Sequence, residues 1–447
     1  MKADARSLAL DVLLDYAGRD DGRLDYAVEA RLAEAWPGSE GAFAKALAFQ
    51  CVQRQLYLDF LISRFSHTPI KKLRPQIRWI LRMGICELYF MERNADYAAI
   101  NECVSLAKKR GFAKLSGYVN AVLRQAERCK ENPPLPSASE ETLNLSILYS
   151  CPEWIVRLWL SAYGKTRTVS MLEASLAPRP LTVWITKDLP EKKKEELLLA
   201  WEEAGIIAAS HPSIDNTYYL NGVSGIRELP GYKNGWFFIQ DSASVLPVLA
   251  AGIKGHEKIL DVCASPGAKS VYAAEFLKEG KILAGDISKS KIRKLEENIR
   301  RMRREETIQP ALRDGTVSYS QDQAKFDIVF VDAPCSGLGV LSRKPDLKYR
   351  LKETDLQDLA ELQRKLLKAS ASCVKRGGLL VYSVCTLSPM ENEEQSAWVQ
   401  KTLPMMPSLL PKGFANGLSG VRKQGHELYA FPGALQDGFY LACFQRK

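Results

Sequence analysis

Histidine is scarce in this 447-residue chain, with four in all, and none of its ten cysteines forms a Cys-x-x-Cys pair. A structural zinc site therefore has no ligand set to draw on. Long apolar runs are missing too: nothing approaches the roughly 20 residues that a membrane span needs, and no signal-peptide core follows "MKADARSLALDVLLDYAGRDDG". The expectation is a cytoplasmic protein with reduced thiols. The common phosphate-binding signatures are also absent. The turn "DVCASPGAKS" (Asp261 to Ser270) is not a Walker loop, because Ala268 precedes Lys269, and it is not Gly-x-Gly-x-x-Gly.

What is present begins with charge. Lys and Arg number 62 against 52 Asp and Glu, a net charge of +10 that suggests a phosphate-bearing partner. The length suits several domains. Residues 1–130 carry helical spacing, clearest in "PQIRWILRMGICELYFM", where Ile77, Ile80, Leu81, Gly84, Ile85 and Leu88 fall on one stripe. The expectation is an all-α bundle. Its basic residues (Lys71, Lys72, Arg74, Arg78, Arg82, Lys108, Lys109, Arg110, Lys114) suit either a solvated face or an RNA contact. Residues 131–144, rich in Pro, Ser and charge, read as a linker. Residues 145–234 mix a helix near "PEWIVRLWLSAYG", a strand "LTVWIT" and a helix "EKKKEELLLAWEEAG", a small α+β segment.

From Gly235 onward the pattern becomes α/β. "KILDVCA", "KILAGD", "FDIVFVD" and "GLLVYSV" are short apolar runs suited to strands buried on both faces, with helical stretches between. One of these stretches, "TDLQDLAELQRKLLKASASCVKRGG", has Gly377-Gly378 as its expected stop. The alternation predicts a parallel, doubly wound sheet over residues 235–447, in which ligands bind outside the carboxyl ends of the strands. Asp261 to Lys269, Asp286, Asp332 to Cys335 and Cys385 all fall at or just past such ends. Asp286 suits ribose hydroxyls or a helix cap. Asp314, in "LRDG", is an ordinary turn residue or a second such contact.

Two cysteines differ from the rest. Cys51, Cys86, Cys103, Cys373 and Cys443 read as small core hydrophobes. Cys335 in "VDAPCSG" and Cys385 in "YSVCTLSPMENE" each follow an apolar run directly, beside turn or hydroxyl residues. A redox pair is one reading. Another is methylation of a pyrimidine at carbon 5, which needs a thiolate to add at carbon 6 and raise the nucleophilicity of carbon 5. A carboxylate beside the ring would bind the base, and a second ionisable group would help expel the thiolate.

"LDVCASPGAKS", "DAPCSGLGVLSRKPDLKYR" and "YSVCTLSPMENE", together with the closing "DGFYLACFQRK", resemble in order and spacing the RNA 5-methylcytosine methyltransferases. That resemblance runs from Gly235 to the end and implies a Rossmann-like class I methyltransferase domain using S-adenosyl-L-methionine. "RSLALDVLLDY", "RWILRMGICELYFM" and "GYVNAVLR" resemble the NusB-like helical RNA-binding fold. The two joined resemble the RsmB (Sun/Fmu) subfamily, which implies one cytosine of 16S ribosomal RNA as substrate, naked or in an early small-subunit particle, and a monomeric enzyme. By motif position the family's nucleophile falls on Cys385 and its second cysteine on Cys335. Cofactor contacts fall on Cys263, Ala264, Ser265, Pro266, Gly267, Ala268, Lys269, Asp286, Asp314 and Asp332, the last also facing the base. DNA cytosine methyltransferases use a Pro-Cys like Pro334-Cys335 for attack, so the reverse assignment stays open. The chain departs from the family at Ala268 (usually Gly), Ser270 (usually Thr), and Trp184 and Thr186 (usually Arg-x-Asn). A transfer RNA cytosine-5 methyltransferase and a non-catalytic, RNA-binding assembly factor are the competing readings.

Overall fold

The computed structural model describes residues 4–32, 39–91, 96–137, 139–223 and 225–447; position 138 of the expected linker lies outside them. The chain divides into two compact units, Met1–Ala177 with Leu341–Lys352, and Pro178–Val340 with Glu353–Lys447. Among the described residues no helix is long and apolar enough to cross a membrane.

The first unit is helical. In the helix Pro75–Phe90 the predicted stripe is buried, as are Trp79, Met83 and Cys86, so this helix runs through the middle of the bundle. A Cβ on Gly84 would come within 2.7 Å of Leu123, which lets the helix Ser116–Arg128 pack close. Two members of the basic set are structural rather than solvated. Arg82 is buried and bonds both oxygens of Asp59 at 2.6 Å. Arg110 pairs with Asp11 at 2.8 Å. Lys71, Lys72, Arg74, Lys108, Lys109 and Lys114 are exposed. The helix Glu153–Leu176 bends at Gly164, whose φ of 73° interrupts it.

The segment Leu341–Lys352 belongs to this unit although both its flanks belong to the other. Its short helix Leu347–Arg350 buries Lys348, whose Nζ donates to Gln53 O at 2.8 Å, while the Tyr349 hydroxyl donates to Ser150 O at 3.0 Å. Burial pulls the Lys348 ammonium down to about 8.

The second unit holds two sheets. Strands β1 (Leu181–Ile185), β2 (Ile207–Ser210), β3 (Thr217–Asn221) and β4 (Phe237–Ile239) form an antiparallel sheet in the order β2-β3-β1-β4. The helix Glu191–Glu203 covers it, and Leu197 and Trp201 join Val183, Ile185, Leu220 and Phe237 in one core.

The larger sheet comprises β5 (Lys258–Asp261), β6 (Lys281–Asp286), β7 (Ile308–Leu312), β8 (Phe326–Asp332), β9 (Val374–Val384), β10 (Met405–Pro407), β11 (Val421–Gln424), β12 (Glu427–Ala430) and β13 (Phe439–Arg446). Its order is β11-β12-β13-β9-β8-β5-β6-β7, with β10 beside β13. The five strands β5 to β9 are parallel, as the alternation predicts. The remainder of the sheet is antiparallel, so it is mixed rather than wholly parallel. The reason lies in the connections: β11 and β12 are joined by Gly425-His426 alone, too short for a parallel crossover.

Gly377-Gly378 is not a helix stop. The helix Asp355–Cys373 ends four residues earlier, β9 starts at Val374, and the pair sits where the β8–β9 register shifts between Phe326 and Ile328. Gly377 has a φ of +75°, which a bulge takes up and a side chain would strain.

Candidate active site

The strand order reverses between β5 and β8, and the crevice outside their carboxyl ends is where a doubly wound sheet receives its ligand. Backbone bonds draw the following loops together there. Val262 N donates to Phe330 O, Ala264 N to Gly285 O, Arg313 N to Asp286 O and Ala333 N to Ser383 O, all between 2.8 and 3.0 Å. All the residues expected on the rim are thereby collected within one unit.

The turn after β5 is tight. The Ser265-Pro266 peptide is cis, Gly267 N donates to Ala264 O at 2.7 Å, and Gly267 has a φ of 106°. Ala268 opens the helix Ala268–Ala274, a position where alanine is at home, so the family's usual glycine is not required there. At the end of β5, Asp261 is fully buried and accepts from the Ser270 hydroxyl at 2.6 Å; burial nevertheless pushes its carboxyl up to about 6. A serine therefore serves where the family usually has threonine.

Asp286 ends β6 with its carboxylate buried, yet its partners are distant: Ser265 N at 3.4 Å, Ser288 N at 3.5 Å and Lys291 Nζ at 3.4 Å. A buried carboxylate so loosely held keeps acceptor capacity for hydroxyl groups. Asp314 instead commits Oδ1 to its own turn, accepting from the Thr316 amide at 2.8 Å and hydroxyl at 2.7 Å. Burial pushes the Cys263 thiol above its ordinary range.

Asp332 ends β8. Its Oδ2 accepts from Lys269 Nζ at 2.6 Å and its Oδ1 from the Ser383 hydroxyl at 2.8 Å, while Lys269 also donates to Ser244 Oγ at 3.1 Å. Cys335 and Cys385 come together from loops fifty residues apart, with sulfurs 3.4 Å from one another and both thiols free. The bond to Cys385, then burial, push the Cys335 thiol well up, so this sulfur holds its proton. The five bland cysteines, 51, 86, 103, 373 and 443, are all buried.

Trp184 and Thr186 take no part in the rim. Trp184 is buried, donates to Gln240 Oε1 at 2.9 Å and stacks on Phe238, and Thr186 Oγ1 donates to Glu275 at 2.9 Å. Sequence reasoning missed the Lys269–Asp332 ion pair and a buried polar cluster around Glu391. The adjacent hydroxyls Ser336 and Thr386, each directly following one of the two cysteines, were the available signal for the latter.

A mixed sheet of this order, with acidic residues ending β5, β6 and β8 around its switch point, joins with the matches to a known family and to its members to make this an S-adenosylmethionine-dependent methyltransferase. Residues 248–445 match the family model of the 16S rRNA methyltransferases RsmB/F, and residues 3–128 match the NusB family. The chain is 32% identical over 407 residues to the "Probable ribosomal RNA small subunit methyltransferase B" of Bacillus subtilis (strain 168), covering 90% of this chain and 89% of that protein. It is 30% identical to the ribosomal RNA small subunit methyltransferase B of Vibrio cholerae, covering 89% and 87%. Among solved structures it is similar in fold to PH0851, at a TM-score of 0.78 and 20% identity over 99% of this chain and 98% of that one. A further likeness is to NSun6 from Pyrococcus horikoshii with SFG, at a TM-score of 0.58 and 19% identity over 67% and 99%. The chain belongs to the ribosomal RNA small subunit methyltransferase B (RsmB/F) family.

Proposed function

We propose that this enzyme methylates carbon 5 of cytosine 967 in 16S ribosomal RNA through a covalent bond between Cys385 and carbon 6 of the base. The observation that carries this reading is the pair of free sulfurs, 3.4 Å apart, on the same rim as the Asp332 carboxylate. A redox pair has no comparable use for that carboxylate.

S-adenosylmethionine would lie along Cys263 to Lys269, with Asp286 on its ribose and Asp314 and Asp332 nearby, and it supplies an electrophilic methyl group. The loosely bonded Asp286 carboxylate fits that role. Lys269 and Ser383 fix the direction of the Asp332 carboxylate, which binds the exposed edge of a cytosine taken out of its stack. Cys385 attacks carbon 6 as a thiolate, forming a carbon–sulfur bond and leaving carbon 5 electron-rich. After methyl transfer carbon 5 gives its proton to solvent water, the carbon–sulfur bond breaks and the ring double bond returns. Cys335 serves that last step by donating its S–H to the departing Cys385 sulfur.

The exposed lysines of the helical unit and the net charge of +10 support an RNA partner. The enzyme is proposed to act in the cytoplasm as a monomer, on naked RNA or an early particle. Wild type, Cys385→Ala and Cys335→Ala, incubated with unmodified 16S RNA, naked or in an early small-subunit particle, and methyl-labelled S-adenosylmethionine, test the reading. Label should enter 5-methylcytidine with wild type and vanish with Cys385→Ala, while Cys335→Ala runs as a protein–RNA adduct on a denaturing gel. An adduct with Cys385→Ala instead would exchange the roles of the thiols. No labelling of RNA or particle by wild type would favour a binding-only protein.

A further inference from the structure

Behind the two thiols lies a buried polar cluster that the chemistry above does not use. Glu391 has no exposed surface. Its Oε1 accepts from the Ser336 backbone N–H at 2.8 Å and from Gln363 Nε2 at 3.0 Å, and its Oε2 accepts from the Ser336 hydroxyl. Ser336 Oγ in turn lies 2.6 Å from Thr386 Oγ1. Gln363 Nε2 also donates to Pro334 O at 3.0 Å, and the Tyr382 hydroxyl donates to Glu391 O at 2.7 Å. Ser336, Thr386 and Gln363 are themselves buried.

The connectivity is uneven, and the unevenness is informative. Cys335 is flanked by Pro334 and Ser336, and both are tied to the Glu391–Gln363 pair, one on each side of the thiol. Cys385 is tied to the cluster on one side through the Thr386 hydroxyl and on the other through β9, where the Tyr382 hydroxyl donates to the backbone of Glu391 rather than to its carboxylate, and its own backbone carbonyl accepts separately from Gly339 N at 3.1 Å. A buried carboxylate is costly to keep without a purpose in the fold or the site, and here two of its donors come from Ser336, next to Cys335, and the third from Gln363, which also holds the carbonyl of Pro334 on the other side of that cysteine.

We propose that Glu391 is a positioning residue for the release step: it anchors the Cys335 loop on both sides, through Ser336 and Gln363, so that the Cys335 sulfur faces Cys385. Removing the anchor frees Cys335 more than Cys385, so attack and methyl transfer persist while release of the product fails. This rests on the assignment of Cys385 as nucleophile and Cys335 as its partner.

The test compares wild type with Glu391→Ala, Glu391→Gln and Ser336→Ala in the labelled-methyl assay, with S-adenosylmethionine affinity by calorimetry as the control for folding. Glu391→Ala should bind S-adenosylmethionine within about twofold of wild type and give the first turnover at a near-normal rate. Its steady-state turnover should fall on the order of a hundredfold, with protein–RNA adduct accumulating on a denaturing gel. Glu391→Gln keeps the shape and an acceptor and should recover most of the turnover. Ser336→Ala, which leaves Glu391 in place, should accumulate adduct more weakly and decides the matter if Glu391→Ala does not fold. Normal steady-state turnover without adduct in a folded Glu391→Ala, or loss of the first turnover together with release, overturns the proposal. The adduct must also vanish in Glu391→Ala/Cys385→Ala. If it persists there, or if wild type makes no 5-methylcytidine, the assignment of the thiols has failed rather than the role of Glu391.

Discussion

Lys269 Nζ lies 2.6 Å from Asp332 Oδ2, joining the turn after β5 to the end of β8 by an ion pair of which the lysine side is almost buried. On the proposed mechanism this pair sets where a carboxylate would meet the base. Lys269→Met should lower the rate of methyl transfer by about 10²- to 10³-fold, the scale seen when a fixed polar group at a reacting centre is removed. Single-turnover rates at saturating S-adenosylmethionine would measure it; a rate within threefold of wild type would mean that Ser383 alone suffices to hold Asp332.

Gly267 sits at a φ of 106°, a conformation that disfavours any side chain, and an added Cβ would stand 2.7 Å from a Leu295 methyl. Gly267→Ala should destabilise the turn by about 1–3 kcal/mol and weaken S-adenosylmethionine binding by a similar free energy. Calorimetry would report it. Ala268→Gly, one residue later, should leave affinity unchanged because alanine there is ordinary helix.

Arg82 illustrates a charge whose purpose is structural. Replacing it with methionine removes both bonds to the part-exposed Asp59, which water can then reach, and should cost about 1–3 kcal/mol in chemical denaturation. Lys108→Ala and Lys109→Ala, both exposed, should stay within about 0.5 kcal/mol of wild type and weaken RNA binding instead.

Lys348 gives a pH signature. Its ammonium is held near 8 in the folded protein against an ordinary 10.5, so between those values the unfolded chain binds the extra proton. Stability from this group therefore rises with pH across that window and is flat below it. Wild type should gain on Lys348→Met by on the order of 3 kcal/mol between pH 7.5 and 10.5. A constant difference between the two proteins would show that the lysine does not titrate in this range.

Four of the five parallel strands were legible because they read as short, largely apolar runs, and Cys335 and Cys385 because each lies at or just past the end of such a run; β7 reads less clearly, since "IQPAL" carries Gln309 and Pro310 and is only partly buried. The antiparallel edge was not legible, since "VRKQ" and "ELYA" are short and their direction is set by a two-residue turn. Nor could Arg82 and Arg110 be told from a solvated basic face: their partners Asp59 and Asp11 lie 23 and 99 residues away. The Glu391 cluster was hidden for the same reason. Its donors come from Ser336 and Gln363, 55 and 28 residues distant, and only the fold makes neighbours of them.

The helical unit takes its Lys348 and Tyr349 contacts from a stretch of chain that follows β5 to β8 in sequence. During synthesis, residues 1–177 leave the ribosome well before the lysine that binds Gln53 O has been made. The unit that comes first in sequence is thus among the last to acquire its final interior contacts, and most of the second unit's parallel strands are translated before it closes.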